Sequence, residues 1–236
     1  MSRPKLYLNG VRDSFAMAVG ILPFGLIFGT LAGAAQLSLW QAVGMSLLVY
    51  AGSAQFIVVS LLGAGAGALV ILLTTFIVNL RHVLYSATLQ PHVHGLPQRW
   101  RLPLAFWLTD ETFAVVQRFY LLHGTQPLAQ WYWLGVTTSL YACWVLSTLG
   151  GVLFGQAVPD LANWGLEFAM LATFIGIVVP LLRSRPQIVA ALIAGAVALA
   201  THDLPYKLGL MAAAFSGITA GIVLERLQAQ AGEAHA

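Results

Sequence analysis

A chain of 236 residues that is 59% hydrophobic and 8% charged cannot cover a water-facing surface, because soluble domains carry roughly 25% charged residues. Lipid must solvate much of it. The net charge of +3, from 11 basic and 8 acidic residues, is small and scattered; it does not suggest nucleic acid and serves as topology information instead. The single cysteine, Cys143, excludes an intrachain disulfide and a cysteine-built metal cage, and its apolar setting predicts a packing residue between helices.

A spanning helix needs ~20 mostly apolar residues. On that rule the candidates are 13–35, 40–62, 66–89, 103–123, 131–155, 163–182, 187–203 and 207–225. In the first, Arg3, Lys5 and Arg12 precede an apolar run whose Ala32-Gly33-Ala34 imitates a signal cleavage site. The run from Ser14 to Ala35 is longer than the usual ~7–15-residue signal core, so it reads as a membrane helix. Gly25, Gly29 and Gly33 share one face and invite close approach of another helix. Ser147, Gly151 and Gly155 repeat that spacing, as do Gly217 and Gly221. Pro23, followed by Phe24-Gly25, removes a helical hydrogen bond; it makes either a harmless kink or a mid-membrane break of the kind that holds transporter substrates. Pro180 poses the same choice in the sixth candidate.

The second candidate contains Tyr50-Ala51-Gly52-Ser53-Ala54-Gln55-Phe56. Small polar groups beside Gly52 predict a loosened turn whose amides could hold a carboxylate; interhelical hydrogen bonding by Ser53 and Gln55 is the alternative. In the third, Thr75, Asn79, His82 and Ser86 form one polar stripe, and Thr74, Arg81, Tyr85 and Thr88 a second. Arg at a helix centre costs ~2.5–3.5 kcal/mol, so this face should look inward unless Arg81 snorkels to the interface. The fourth carries Thr109-Asp110-Glu111-Thr112, then Gln117-Arg118. Asp110, Ala114 and Gln117 share a face, and Glu111, Val115 and Arg118 the next. The acids are candidates for an Arg81 partner, a proton carrier or an ammonium site, or else lie at the membrane edge.

Farther on, Glu167 is expected at an interface, and His202-Asp203 with Pro205-Tyr206-Lys207 in a solvated turn. Trp131, Tyr132 and Trp133 form an interfacial cluster. No Walker A loop, His-Glu-x-x-His, Gly-x-Ser-x-Gly or EF-hand loop is present. The pair His92 and His94 is too little for a metal site, so neither cofactor nor metal is expected.

These elements predict an all-α polytopic membrane bundle of about eight spans in one domain (1–236, core 10–225, polar tail 226–236). Basic residues put the N-terminus, the Arg183–Arg185 loop and the C-terminus in the cytoplasm. Eight spans then place Arg99 and Arg101 outside, against the rule. A re-entrant segment would reduce the count to seven. The seventh candidate is the suspect, since Ile188–Ala200 covers only ~20 Å of a ~30 Å core. Gly10-Val11 with Ser14 and Phe28-Gly29 echoes Gly135-Val136 with Ser139 and Phe154-Gly155, a faint internal repeat relating the first and fifth spans.

Four stretches resemble the AzlC (YgaZ-like) family, the large subunit of branched-chain amino acid exporters. They are Pro23-Phe24-Gly25 with Phe28-Gly29; Tyr50 to Phe56; Asn79-Leu80-Arg81-His82 with Tyr85; and Leu108-Thr109-Asp110-Glu111 with Phe113-Ala114. The similarity runs from about Gly10 to Leu224, and its first half is the specific part. The resemblance implies a multi-pass transporter of the bacterial inner membrane. It would work with a small AzlD-like subunit and export leucine, isoleucine and valine, driven by an ion gradient, with methionine handled by some members. It implies no residue roles; those come from physical inference. Ser53 and Gln55, beside Gly52, would bind the carboxylate, and Asp110 the ammonium group. Pro23, Phe24, Gly25, Tyr50, Phe56 and Asn79 would complete the substrate site. Arg81 would neutralise an acid, with Glu111 and His82 as proton carriers. The rivals are a membrane-embedded enzyme, disfavoured for want of a nucleophile or metal set, and a non-transporting assembly subunit.

Overall fold

The computed structural model describes residues 2–155, 175, 178–179, 182–204 and 208–233, the side chains as far as residue 230. Among these residues there are helices and no strand. Pro159-Asp160, Glu167, Pro180, Pro205-Tyr206-Lys207 and most of the sixth candidate span lie outside the described residues.

Helix α1 (Arg3–Ala34) is continuous through Pro23, so the proline does not break it. It packs along α8 (Ala129–Phe154), and the two run parallel. A Cβ on Gly10 would strike the Tyr132 carbonyl; one on Gly29, farther along, would strike that of Thr148. In return, Gly135 lies on the Tyr7 carbonyl and Gly151 on that of Leu26. Tyr7 precedes Gly10 as Tyr132 precedes Gly135, so the contacts are reciprocal and describe a local two-fold relation between the first and fifth candidates. Only glycine lets two backbones approach this closely. Cys143 packs here as expected, its thiol donating to the Ala18 carbonyl at 3.1 Å.

The second candidate does not cross. It forms α2 (Leu39–Leu48) and α3 (Gly52–Gly63), broken at Val49–Ala51, where Tyr50 takes φ +46°. Going in, Ser46 meets Thr148 of α8 at 2.8 Å, and Tyr50 reaches Tyr141, two turns deeper, with ring centroids 4.8 Å apart. Coming back, Gln55 donates to Ser46 at 3.0 Å. Nine residues of continuous helix would separate these two by ~13 Å; only a reversal brings them together. Helices α4 (Ala68–Asn79) and α5 (Arg81–Val93) make the next crossing, interrupted only by a tight turn at Leu80.

The fourth candidate is also a hairpin, entering from the opposite end. Helix α6 (Gln98–Phe106) starts with Trp100 against Trp131 and climbs until Trp107 meets Tyr141. The chain turns at Leu108-Thr109, and α7 (Asp110–His123) descends until Phe119 stacks on Tyr132 at 4.0 Å. At that end His92 stacks on Tyr120.

Among the described residues the count of about eight spans is not confirmed. Four described helices are long and apolar enough to cross: Arg3–Ala34, Ala68–Val93, Ala129–Phe154 and Leu208–Gln230. At 9 to 14 residues, each hairpin arm covers only ~14–21 Å. The hairpins also remove the topology conflict. Arg99 lines a 680 Å³ cavity with Arg3, Trp100 and Trp131, at the end where α1 and α8 begin. Cysteines placed at Arg99 and at Ser2, in a Cys143→Ala background, should therefore both be labelled from the same face of the membrane by an impermeant maleimide. Labelling from opposite faces would refute the inner hairpin.

Helix α9 (Arg185–Ala200) lies antiparallel to α10 (Leu208–Glu233), with Gly217 and Gly221 against Ala190. The glycine and serine faces whose spacing invites another helix are filled within the chain: Gly217 and Gly221 by α9, Ser147 and Gly151 by α1. The polar stripes are only partly inward, with Thr74 buried and Ser86 and Thr88 exposed.

Candidate functional site

The two hairpin tips meet beside the α4–α5 turn, midway along the bundle. The outer tip presents the first turn of α3, Gly52 and Ser53; the inner tip presents the first turn of α7. Thr109 caps α7 by accepting from the Thr112 amide at 3.4 Å, and Asp110 and Glu111 occupy the first turn. Acids are favoured there because the unpaired amides and helix dipole present positive charge.

Arg81, at the turn, connects both tips. One guanidinium nitrogen lies 2.6 Å from Asp110 Oδ2 and the other donates to Ser53 Oγ. Tyr85 donates to Asp110 Oδ1 at 2.6 Å, and its ring stacks on Phe113. The side chains of Arg81 and Asp110 are 23% and 11% exposed, so the pair is largely shielded. Arg81 therefore points inward to an acid and does not snorkel. His82 is half-buried beside Tyr85, with Nδ1 3.1 Å from the Asn79 carbonyl oxygen. Glu111 lies within electrostatic reach of Tyr50.

Other named residues form an adjacent layer. Gln55 is fully buried, accepting from Trp144 Nε1 at 3.1 Å and donating to Ser46. Ser46 continues to Thr148. Phe56 meets Phe28 edge-on, and Phe28 stacks on Trp144, which also covers Gly52. Phe24 is buried in the core, and Gly25 faces Ser147 of α8. The structure thus brings together Tyr50, Gly52, Ser53, Arg81, Tyr85, Asp110 and Glu111, and leaves Gly25 in the α1–α8 packing. Sequence reasoning missed Ser46, Trp144 and Thr148. Their only signal was polar atoms inside apolar segments.

No group of three or more His, Cys, Asp or Glu side chains suited to a metal occurs among the described residues. Opposed half-helices around a shielded charge pair define a polytopic helical membrane protein with an internal polar site. The pattern of the AzlC protein family matches residues 16–158, and the chain belongs to that family. It is 32% identical over 221 residues to an uncharacterized membrane protein of Archaeoglobus fulgidus, covering 92% of this chain and 94% of the relative. It is 27% identical over 230 residues to the inner membrane protein YgaZ of Escherichia coli, covering 94% and 91%. It is 27% identical over 156 residues to the branched-chain amino acid transport protein AzlC of Bacillus subtilis, covering 66% and 60%. No solved structure matches the chain.

Proposed function

We propose that this chain is a secondary transporter of the bacterial inner membrane that exports branched-chain amino acids in exchange for protons. It would act as one transmembrane domain with a small AzlD-like membrane subunit. The observation that carries the reading is the Arg81–Asp110 pair, shielded at the point where two opposed hairpins meet. Broken helices near mid-membrane are where secondary transporters hold substrate, because their free backbone ends supply partial charges that lipid cannot. The name of the Bacillus subtilis relative supports the substrate class.

In this reading the hairpin α2–α3 gates the outer end and α6–α7 the cytoplasmic end. The α3 tip, with Ser53 and the Gly52 amide, receives the carboxylate. Asp110 balances the ammonium group. The aromatic layer of Phe28, Phe56 and Trp144 walls the apolar side chain, with Tyr50 and Asn79 at the margins. Glu111 and His82 are the proton carriers.

The deciding measurement is counterflow of labelled leucine in liposomes, with and without the small subunit. Uptake into leucine-loaded vesicles, competed by isoleucine and valine, is expected, reaching full rate only with the subunit. Absence of counterflow with both chains present would overturn the transport reading; full rate from this chain alone would remove the subunit.

A further inference from the structure

Among the described residues, five buried side-chain atoms have no hydrogen-bond partner: Asn79 Oδ1, Arg81 Nε, Trp107 Nε1, Gln117 Oε1 and Trp133 Nε1. Leaving such an atom unpaired costs about 1–3 kcal/mol, so most proteins keep few of them. Three of the five belong to the junction already described. Asn79 and Arg81 flank the Leu80 turn, and Trp107 stands at the inner hairpin tip. Arg81 is held at both terminal nitrogens while its Nε stays idle. The junction therefore has spare donors on Arg81 and Trp107 and a spare acceptor on Asn79.

We infer that a zwitterionic amino acid binds by inserting into the Arg81–Asp110 ion pair, its carboxylate taking Arg81 and its ammonium group taking Asp110. This rests on the transport reading above and assigns the carboxylate a receptor, Arg81, shared with the α3 tip. Each charge of the pair exchanges one partner for another of the same sign, so no buried charge is left uncompensated. Arg suits the role because its planar fork can grip a carboxylate through Nε and a terminal nitrogen together, and Nε is the atom left free. The exchange also carries motion. Asp110 sits on α7 and Ser53 on α3, and Arg81 ties both tips to the α4–α5 crossing. A substrate between Arg81 and Asp110 replaces the direct tie to the inner hairpin with one through itself.

The test is equilibrium binding to the full chain in lipid nanodiscs with its small subunit, using three probes of one shape. These are leucine, leucinamide (no carboxylate) and 4-methylvalerate (no ammonium). Wild type should prefer leucine over each analogue by about tenfold or more. Arg81→Gln should erase the preference over leucinamide while keeping that over 4-methylvalerate; Asp110→Asn should do the reverse. Arg81→Lys and Asp110→Glu, which keep the charges, should retain part of each preference and serve where the neutral variants fail to fold. A uniform loss for all three probes in each variant, or preferences unchanged, would overturn the insertion. Should wild type bind no leucine but another of the twenty amino acids, the substrate reading fails alone, and the same variants test insertion with that amino acid and its amide. If none binds, both fail.

Discussion

Arg81→Leu is expected to destabilise the protein by about 3–5 kcal/mol, the usual cost of stripping one partner from a buried ion pair. Asp110 would keep only the Tyr85 hydroxyl and the positive end of α7 to offset its charge. Both hairpin tips would also lose their common tie, because Arg81 is the residue that reaches Ser53 and Asp110 together. The double variant Arg81→Leu with Asp110→Leu should recover most of that loss, since it buries no orphan charge. Neither variant should move leucine. Melting in detergent, followed by flux in liposomes, separates the two effects: stability returns in the double variant and transport does not. A single variant as stable as wild type would mean that the guanidinium is not paired with Asp110 in the membrane.

How much of this arrangement could be read from residues depended on the kind of signal. Intramembrane charge is so costly that Arg81 had to find an acid, and the spacing of Asp110 and Glu111 in the next apolar segment left few choices. The loosened turn at Gly52 was legible for a similar reason, as small polar residues cluster there; the structure puts the break at Val49–Ala51, immediately before Gly52, with Tyr50 in the left-handed region. The hairpins were not legible as hairpins. Two arms of 10 and 12 residues have the combined hydropathy of one span, and periodicity does not record a reversal. One sign was nonetheless present. Thr109 followed by two acids is a helix start, and a start in the middle of a presumed span means that the span is broken. The misplaced Arg99 and Arg101 pointed the same way, but suspicion fell on the seventh candidate because it was the shortest. Gln55 shows the opposite limit. Its position beside Ser53 left a ligand contact and an interhelical hydrogen bond both open, and its partners, Ser46 and Trp144, come from elements whose approach no local pattern specifies.

Glu111→Gln should abolish leucine accumulation against a gradient and spare leucine–leucine exchange. Exchange needs the hairpins to open and close around substrate but needs no net proton movement, whereas concentrative export needs a group that gains and loses a proton as access alternates. Glutamine keeps the shape and hydrogen-bonding reach of glutamate and cannot carry the proton. Glu111 is favoured over Asp110 because Asp110 is already engaged by Arg81 and Tyr85. Glu111 also shares its face of α7 with a water-exposed residue, Arg118. Val115 lies between them on that face, and Arg118 lies near Tyr132, which borders a 440 Å³ cavity with Arg12, Asp13 and His123 at the end where α1 and α8 begin. An inner hairpin that moves would carry Glu111 with it, changing both its distance from Arg81 and its access to that cavity. The measurement pairs two assays on one set of vesicles: accumulation driven by an imposed pH gradient, and counterflow with the gradient collapsed. Loss of the first with the second retained assigns the proton to Glu111. Accumulation that persists in Glu111→Gln moves the assignment to His82, whose ring lies beside Tyr85 at the same junction and whose replacement by glutamine would then show the split.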